Sequence, residues 1–191
     1  MKRRIIVLFV LMTTLCISLW AQTEANFDID LNQTGDGVII KKYNGSVVAV
    51  VIPQMIYGFP VREIGQGAFR DSRITSVVIP NLVTHIRESA FNSCKSLTAV
   101  TIGESVTIIE DYAFYSCENL TTVSIPATVV SIGGFAFSHC RRLTTFNIPQ
   151  SVRSIRFPIY SSWRISGAFN STNLNFASQA ALRRVGYTED L

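Results

Sequence analysis

The chain has 191 residues, and its 17 Lys and Arg against 13 Asp and Glu give a formal net charge of +4. Three of the positive charges lie at the extreme N-terminus, in Lys2, Arg3 and Arg4, so the rest of the chain carries fourteen positive and thirteen negative side chains, a net charge of +1. The length allows one domain with a buried core. A nearly neutral chain lacks the basic stripe that nucleic-acid binding requires, which excludes that class of partner.

Residues 1–21 have the layout of a secretory signal peptide. A basic start is followed by an apolar run over residues 5–15, and the small residue Ala21 precedes the expected cleavage site. We therefore expect export, with a mature chain that begins at Gln22 and has no membrane-spanning segment. Two alternatives are an uncleaved membrane anchor and a lipoprotein modified at Cys16, although Leu15 stands where a lipoprotein signal needs a small residue.

Residues 22–51 predict an N-terminal β cap. Apolar residues alternate at Phe27, Ile29 and Leu31, and turn signals follow at residues 35–37 and 44–45. This pattern predicts a β-hairpin that leads into the repeats and covers one end of the stack. The Gly-Asp-Gly sequence at residues 35–37 is read as a turn, because it lacks the ligand spacing of a calcium loop.

Residues 52–157 repeat one phrase with a period of about 23 residues. The pair Ala-Phe recurs at nearly constant steps, and columns of Val, Ile, Cys and Leu keep the same period. The Ala-Phe pairs begin at Ala68, Ala90, Ala113 and Ala136, and a later one begins at Ala168. The first repeat, from Ile52 to Ile79, is longer than the others, and its extra length lies around residues 55–60.

The repeated phrase predicts a leucine-rich repeat solenoid, a β-rich horseshoe of the α/β type. In "LTAVTI" the apolar residues Val100 and Ile102 alternate with polar ones, which indicates a short strand with one buried face. One repeat cannot bury these residues alone, so successive repeats must stack with parallel strands about 4.8 Å apart. Pro80 and Pro126 follow such strands, where a missing N–H costs little.

The cysteines and histidines give no sign of catalysis. Cys94, Cys117 and Cys140 recur with the period of the repeat and are interpreted as one buried structural position, although a disulfide between neighbouring repeats stays open because stacked Cα atoms fall within disulfide range. His85 and His139 are the two candidate bases. Metal-ligand spacings and phosphate-binding glycine loops are absent from the sequence. We therefore expect a protein that is not an enzyme, with no catalytic residue, cofactor or metal.

Residues 158–191 are predicted to form an interrupted last repeat and a C-terminal cap. Nine extra residues separate Ile155 from Ala168 and bring in Tyr160, Trp163 and Arg164. Two alternatives stay open for this insertion, namely a loop that contacts a partner and apolar side chains that seal the end of the core. A short helix over residues 178–185, which would end at the following glycine, is expected to cover the last repeat.

The side chains that alternate with the buried strand residues are the candidate contacts to a partner. Across the repeats they are small, neutral and mostly hydroxylated. The candidates are Thr101, Thr122, Ser124, Thr145 and Asn147, together with Tyr160, Trp163 and Arg164 of the insertion. About five strands that are each about 16 Å long present roughly 400 Å². Since a stable interface takes about 800 Å² from each partner, this face alone should bind weakly.

The phrase I-P-x-x-V-x-x-I-x-x-x-A-F-x-x-C-x-x-L-x-x-V-x-I-P resembles the consensus of the BspA-like leucine-rich repeat family of exported bacterial proteins. Ile79, Pro80, Val83, Ile86, Ala90, Phe91, Cys94, Leu97 and Val100 carry the resemblance. It spans roughly Val48 to Ile155 and implies display on the cell surface, with adhesion to host matrix proteins or to other cells. A structural component of the envelope or periplasm, without a host ligand, is the alternative. Either way the expected partner is a protein.

Overall fold

The computed structural model describes residues 24–155, in which short β-strands alternate with tight turns. A 3-10 helix at Glu24–Asn26 precedes β1 (Phe27–Leu31), β2 (Val38–Tyr43), β3 (Ala49–Val51), β4 (Met55–Ile56), β5 (Phe59–Ile64), β6 (Ser76–Val78), β7 (His85–Ile86), β8 (Ala99–Thr101), β9 (Ile108–Ile109), β10 (Thr122–Ser124), β11 (Ser131–Ile132), β12 (Thr145–Asn147) and β13 (Ser154–Ile155). No α-helix occurs between residues 24 and 155. From β7 onward, the side of each coil opposite the three-residue strands consists of two-residue strands and turns.

The strands stack into two sheets. The larger sheet has the order β1-β2-β5-β7-β9-β11-β13, with β4 paired to β5, and the smaller sheet has the order β3-β6-β8-β10-β12. Apart from the antiparallel pairs β1-β2 and β4-β5, neighbouring strands are parallel, and equivalent residues such as Val77, Val100 and Val123 lie side by side. Each coil contributes one strand to each sheet, from coil 1 (β2 and β3) to coil 5 (β11 and β12). The predicted solenoid is confirmed.

A column of aromatic rings forms the widest part of the core. Phe69, Phe91, Phe114 and Phe137 are fully buried. Their ring centroids are 4.8, 5.0 and 5.1 Å apart and successive rings lie within 17° of parallel. This spacing matches the distance between neighbouring strands. Each ring therefore packs against the equivalent ring of the next coil, and burial of each is expected to stabilise the fold by about 1.5–3 kcal/mol.

The N-terminal hairpin confirms the predicted β cap and extends the aromatic column. β1 and β2 are antiparallel, and the backbone N–H of Gly35, which has φ of 73°, donates to the carbonyl of Asn32 in the turn between them. Phe27 and Tyr43 add two rings to the start of the column, with centroids 5.4 Å apart and Tyr43 5.2 Å from Phe69. The cap lies beside β2, so it covers the end of the larger sheet.

The turns between the sheets use left-handed backbone conformations at two positions in each of coils 2 to 5. The first position is Gly67, Ser89, Tyr112 and Phe135, and the second is Asp71, Ser93, Ser116 and His139, all with φ between 55° and 64°. Such angles cost free energy for residues other than glycine. Hydrogen bonds between coils offset that cost, as when the N–H of Ser93 donates to the carbonyl of Tyr115 at 2.8 Å.

The predictions for the C-terminal insertion and the C-terminal helix fall on residues 156–191, outside the described range. The residue bounds of the four predicted segments also stay predictions. Within residues 24–155 there is no helix with the length and apolar character needed to cross a membrane.

Candidate interaction surfaces

The smaller sheet brings five of the predicted contact residues together. Thr101 on β8 lies next to Ser124 on β10, and Ser124 lies next to Asn147 on β12; in the same way Thr122 lies next to Thr145. Thr101, Thr122 and Ser124 are exposed. We name the solvent-facing side of this sheet the outer face. Tyr160, Trp163 and Arg164 lie outside the described residues.

A ladder of threonine hydroxyls runs beside the outer face and ties the coils together. The hydroxyls of Thr75, Thr98 and Thr121 each donate to a backbone carbonyl of the preceding coil, at 3.3, 2.9 and 3.1 Å. These carbonyls belong to Val48, Thr75 and Thr98. The ladder fixes the positions of the strands, so the side chains that a partner would contact are held in a set array.

The outer face is smaller than the sequence suggested. Each of its strands has three residues, which corresponds to a length of about 10 Å and, across five strands, to roughly 240 Å². The sequence estimate was larger because the turns at both ends were counted as strand. A standard interface takes about 800 Å² from each partner, so this face needs further surface to bind tightly.

The chemistry of the outer face changes along the solenoid. One column of neighbouring residues reads Val51, Val78, Thr101, Ser124 and Asn147 from coil 1 to coil 5. Val51 and Val78 are 51% and 39% exposed, although valine is among the residue types that are most often buried. The end of the face at coil 1 is therefore apolar, and the other end is polar.

The extra length in the first repeat forms a hairpin that presents three apolar side chains to solvent. β4 and β5 pair through a tight turn at Tyr57 and Gly58, whose φ values of 50° and 81° suit a two-residue hairpin. Met55, Tyr57 and Phe59 are 44%, 54% and 44% exposed. The sequence signal was the departure from the regular period together with the Tyr-Gly pair, but only the structure shows these side chains facing outward.

A second group of residues missed by sequence analysis is an aromatic cluster on the turns of coils 4 and 5. The ring of Tyr112 stacks on Phe135 with centroids 5.1 Å apart and meets Tyr115 edge-on at 5.6 Å, while Tyr115 lies 5.0 Å from His139. Burial and the nearby carboxylate of Asp111 raise the pKa of Tyr112. The signal that could have found the cluster is the step from Tyr112 to Phe135, which equals the period of the repeat.

Charged side chains on or directly after β5, β7 and β9 of the larger sheet form an ion network across three coils. The Nε of Arg87 donates to Glu63 at 2.7 Å and its Nη1 donates to Glu110 at 2.8 Å. The hydrogen bond to Glu63 is the largest cause that raises the pKa of Arg87. Glu110 and Asp111 also line a shallow cleft of about 420 Å³ that Glu88 borders. The network joins coils 2, 3 and 4.

The cysteines lie in the core as predicted and are free thiols. Cys94, Cys117 and Cys140 donate from Sγ to the carbonyls of the phenylalanines one coil earlier, at 3.0, 3.2 and 3.2 Å. Burial raises the pKa of Cys140 to about 12, and the hydrogen bond with Cys94, followed by burial, raises the pKa of Cys117. Protonated, enclosed thiols are poor nucleophiles. In the structure, none of these three thiols forms a disulfide with a neighbouring coil.

The histidines share hydrogen bonds with the hydroxyls that precede them. The Nδ1 of His85 lies 2.9 Å from the Thr84 hydroxyl, and that of His139 lies 3.0 Å from the Ser138 hydroxyl. Neither pair includes a thiol. In residues 24–155, no group of three or more His, Cys, Asp or Glu side chains is arranged to hold a metal ion.

Comparisons with known proteins agree with this architecture. A crystal structure of a leucine-rich repeat protein of T. pallidum is similar with a TM-score of 0.70 and 22% identity, over 88% of this chain and 97% of that chain. A leucine-rich cell surface protein of Faecalibacterium prausnitzii is similar with a TM-score of 0.64 and 33% identity, over 84% of this chain but 44% of that one. The pneumococcal vaccine antigen PcpA gives a TM-score of 0.52 and 23% identity, over 70% and 39%. No curated protein matches the chain.

The family comparison rests on the repeats themselves. A family model for the BspA type leucine rich repeat region matches residues 60–183 in six copies. Within residues 60–155 of the matched range, the shared columns of Ala-Phe, Cys and Ile are buried in the structure. Because the match spans more than half of the chain, the protein belongs to the BspA-type leucine-rich repeat family.

Proposed function

We propose that the chain is an exported, non-catalytic protein that binds a protein partner at the cell surface, and that it serves in adhesion to host matrix proteins or to other cells. The observation that carries this proposal is the outer face, where the repeats hold Thr101, Thr122 and Ser124 in an exposed row on a rigid frame. Membership of the BspA-type family is consistent with a role in protein interaction. The expected contacts on β12 are Thr145 and Asn147.

The chemistry of the buried groups supports a non-catalytic role. The thiols are enclosed in the core, where burial raises the pKa of Cys140 and the hydrogen bond with Cys94, together with burial, raises the pKa of Cys117. An enzyme that used them would need a neighbouring base and an open path for substrate. The described histidines instead hydrogen-bond to a threonine and a serine.

Three observations support a place at the cell surface. Residues 1–21 have the layout of a signal peptide. The similar protein of F. prausnitzii is described as a cell surface protein, and PcpA is described as a vaccine antigen. Digestion of intact cells with protease tests the location: a surface protein is cleaved, whereas a periplasmic structural component survives until the envelope is opened. Survival would favour the alternative envelope role.

A pair of charge variants tests the outer face. Thr122→Glu places a carboxylate among the predicted contacts, on β10 of the outer face. Val130→Glu places the same charge at an exposed position away from the face, since Val130 is 43% exposed and precedes β11 of the larger sheet. Pull-down from extracellular-matrix and host-cell extracts should lose its ligand with Thr122→Glu and keep it with Val130→Glu. Equal binding by both variants would contradict the assignment of this face.

The insertion near Trp163 is proposed to enlarge the outer face, which by itself presents roughly 240 Å². Replacement of Tyr160 and Trp163 by Ala should weaken the same pull-down while the unfolding midpoint stays unchanged. If the double variant unfolds at a lower denaturant concentration instead, the two side chains seal the core. If neither binding nor stability changes, the contact-loop hypothesis is wrong.

A further inference from the structure

The N-terminal cap covers the end of one sheet and leaves the end of the other exposed. β1 pairs with β2, the coil 1 strand of the larger sheet. β3 is the coil 1 strand of the smaller sheet and stands at the end of that sheet, with β6 as its one paired neighbour among the described strands. The described part of the solenoid therefore presents an open strand edge at Ala49–Val51.

The backbone groups along this edge can be assigned from the pairing with β6. The carbonyl of Val48 accepts from the N–H of Thr75 at 2.7 Å, and the N–H of Ile52 donates to the carbonyl of Val78 at 3.0 Å. Backbone groups alternate in direction along a strand, so those of Val48, Val50 and Ile52 point towards β6. The N–H and C=O groups of Ala49 and Val51 therefore point away from the sheet, where a further strand would pair.

The segment that carries this edge is apolar and has no charged side chain. Of the eight large apolar side chains that the structure describes as exposed, six lie between residues 48 and 78. They are Val48, Val51, Met55, Tyr57, Phe59 and Val78. The sequence contains no charged residue between Lys42 and Arg62. Edge strands of soluble proteins are usually protected by charged side chains, proline or a covering segment, and neither a charge nor a proline occurs within Ala49–Val51.

We propose that a second copy of this chain pairs with the β3 edge, so that two copies form one continuous sheet. An antiparallel arrangement with its two-fold axis at Val50 places Ala49 opposite the partner's Val51, and Val51 opposite the partner's Ala49. Both residues direct their N–H and C=O groups outward, so these two opposing pairs form four backbone hydrogen bonds. The strand is complementary to itself, and because it carries no charge, no like charges meet across the pairing.

The exposed apolar area of this segment and of β6 is comparable to the apolar share of a standard interface. The six side chains are 39–54% exposed, which amounts to roughly 500 Å² of apolar surface. A standard interface takes about 800 Å² from each partner, and a little over half of that is apolar. Pairing about a two-fold axis uses the same edge on both copies, so the assembly closes at two and exposes no further strand.

Beyond the proposed function, dimerisation would change the size and number of the binding surfaces. Joining two smaller sheets edge to edge would bring two outer faces side by side with their polar ends outermost, which doubles the sheet surface offered to a partner from roughly 240 to roughly 480 Å². It would also give the protein two equivalent sites, which increases avidity for a repetitive ligand.

A matched pair of lysine variants tests the proposal. The protein is expressed from its full coding sequence, purified as the cell processes it, and its mass is measured by sedimentation equilibrium from micromolar to millimolar concentration. The wild type should form dimers. Val51→Lys brings two ammonium groups to the interface and should raise the dimer dissociation constant by about tenfold or more. Thr101→Lys adds the same charge on the same face two coils away, and its dissociation constant should not change.

Cysteine variants test the register of the pairing. The thiols in residues 24–155, namely Cys94, Cys117 and Cys140, are buried and do not compete. A mixture of the Ala49→Cys and Val51→Cys proteins should form a disulfide between chains, because opposing residues have Cα atoms within disulfide range. Neither variant alone should form this disulfide, because position 49 of one copy lies opposite position 51 of the other copy and not opposite position 49.

Three results would overturn the proposal. The wild type could sediment as a monomer at every concentration, which excludes the dimer without bearing on the outer-face pull-down. Val51→Lys could leave dimerisation unchanged, which would place the interface elsewhere. Cross-linking of the Ala49→Cys protein to itself would exclude the two-fold axis at Val50.

Discussion

Coil 1 and coils 3 to 5 stack in the same way but expose different side chains to solvent. In coils 3 to 5 the core columns repeat almost identically, and the column that begins with Val51 continues as Thr101, Ser124 and Asn147. Coil 1 and the hairpin after it expose Val51, Met55, Tyr57 and Phe59 instead. The repeat thus fixes which residues are buried, while the exposed residues differ where the strand edge lacks a neighbouring coil.

The largest expected effect contrasts a core ring with an exposed ring. Phe114→Ala removes a fully buried side chain from the middle of the aromatic column and should lower the free energy of unfolding by about 3–5 kcal/mol. Phe59→Ala removes a ring that is 44% exposed and should cost less than about 1 kcal/mol. Denaturant unfolding monitored by circular dichroism measures both. Similar losses for the two variants would mean that the hairpin belongs to the core.

The next effect concerns the thiols, which occur in coils 3 to 5 and not in coil 1. Burial raises the pKa of Cys140 to about 12 from 9.0 for a free thiol. The folded protein therefore holds this proton at pH values where the unfolded chain has lost it. Stability should be complete below about pH 9 and fall as the pH rises towards 12, by up to about 1.4 kcal/mol per pH unit for each such thiol.

Unfolding curves at several pH values between 8 and 11, with a Cys140→Ala control, measure this slope. The control should be less stable at pH 8, because it leaves a cavity, but its stability should fall less steeply as the pH rises. Parallel slopes for the two proteins would show that Cys140 ionises equally in both states. Tyr112, whose pKa is also raised, is present in both proteins, so its contribution cancels from the difference between the two slopes.

A smaller effect is expected for the ion network that joins coil 2 to coils 3 and 4. Arg87→Leu leaves the carboxylate of Glu63, whose side chain is 12% exposed, without its cation and should cost about 2 kcal/mol. Lys95→Leu removes the exposed partner of Glu118 and should change stability by less than about 0.5 kcal/mol. Thermal and denaturant unfolding of both variants at low and high salt give the comparison. Equal effects would mean that the network is no stronger than a surface pair.

The smallest effect concerns the left-handed turns. Ser116 in coil 4 occupies the second left-handed position of its turn, with φ of 55°. Gly67 in coil 2 occupies the first left-handed position, with φ of 64°. Ser116→Gly should stabilise the protein by no more than about 1 kcal/mol, because relief of the backbone is partly cancelled by the freer unfolded chain. Gly67→Ala should destabilise it by about 1 kcal/mol or more. A loss of stability in Ser116→Gly would show that its side chain supports the turn.

The sequence predicted what the period encodes. The regular step identified the buried columns, since a residue such as Phe114 or Cys117 must meet its equivalent in the next coil, and alternation identified the hairpin strand at Phe27–Leu31. It did not reveal that Tyr57 and Phe59 face solvent, because both lie in the extra length of the first repeat, which has no equivalent in the other repeats. The contact between Tyr112 and Phe135 was missed since it depends on turns with positive φ. The open edge of β3 depends on where the cap lies in space.

The even spacing of the aromatic column makes one coil an exchangeable unit. Each coil offers the next the same carbonyls and the same ring face, so every internal coil meets equivalent neighbours on both sides. If residues 92–114 were excised, Cys117 would take the place of Cys94 and donate to Phe69 as Cys94 does now. Evolution can therefore lengthen or shorten such a protein by whole turns, and alter its reach towards a partner, without redesigning its interior.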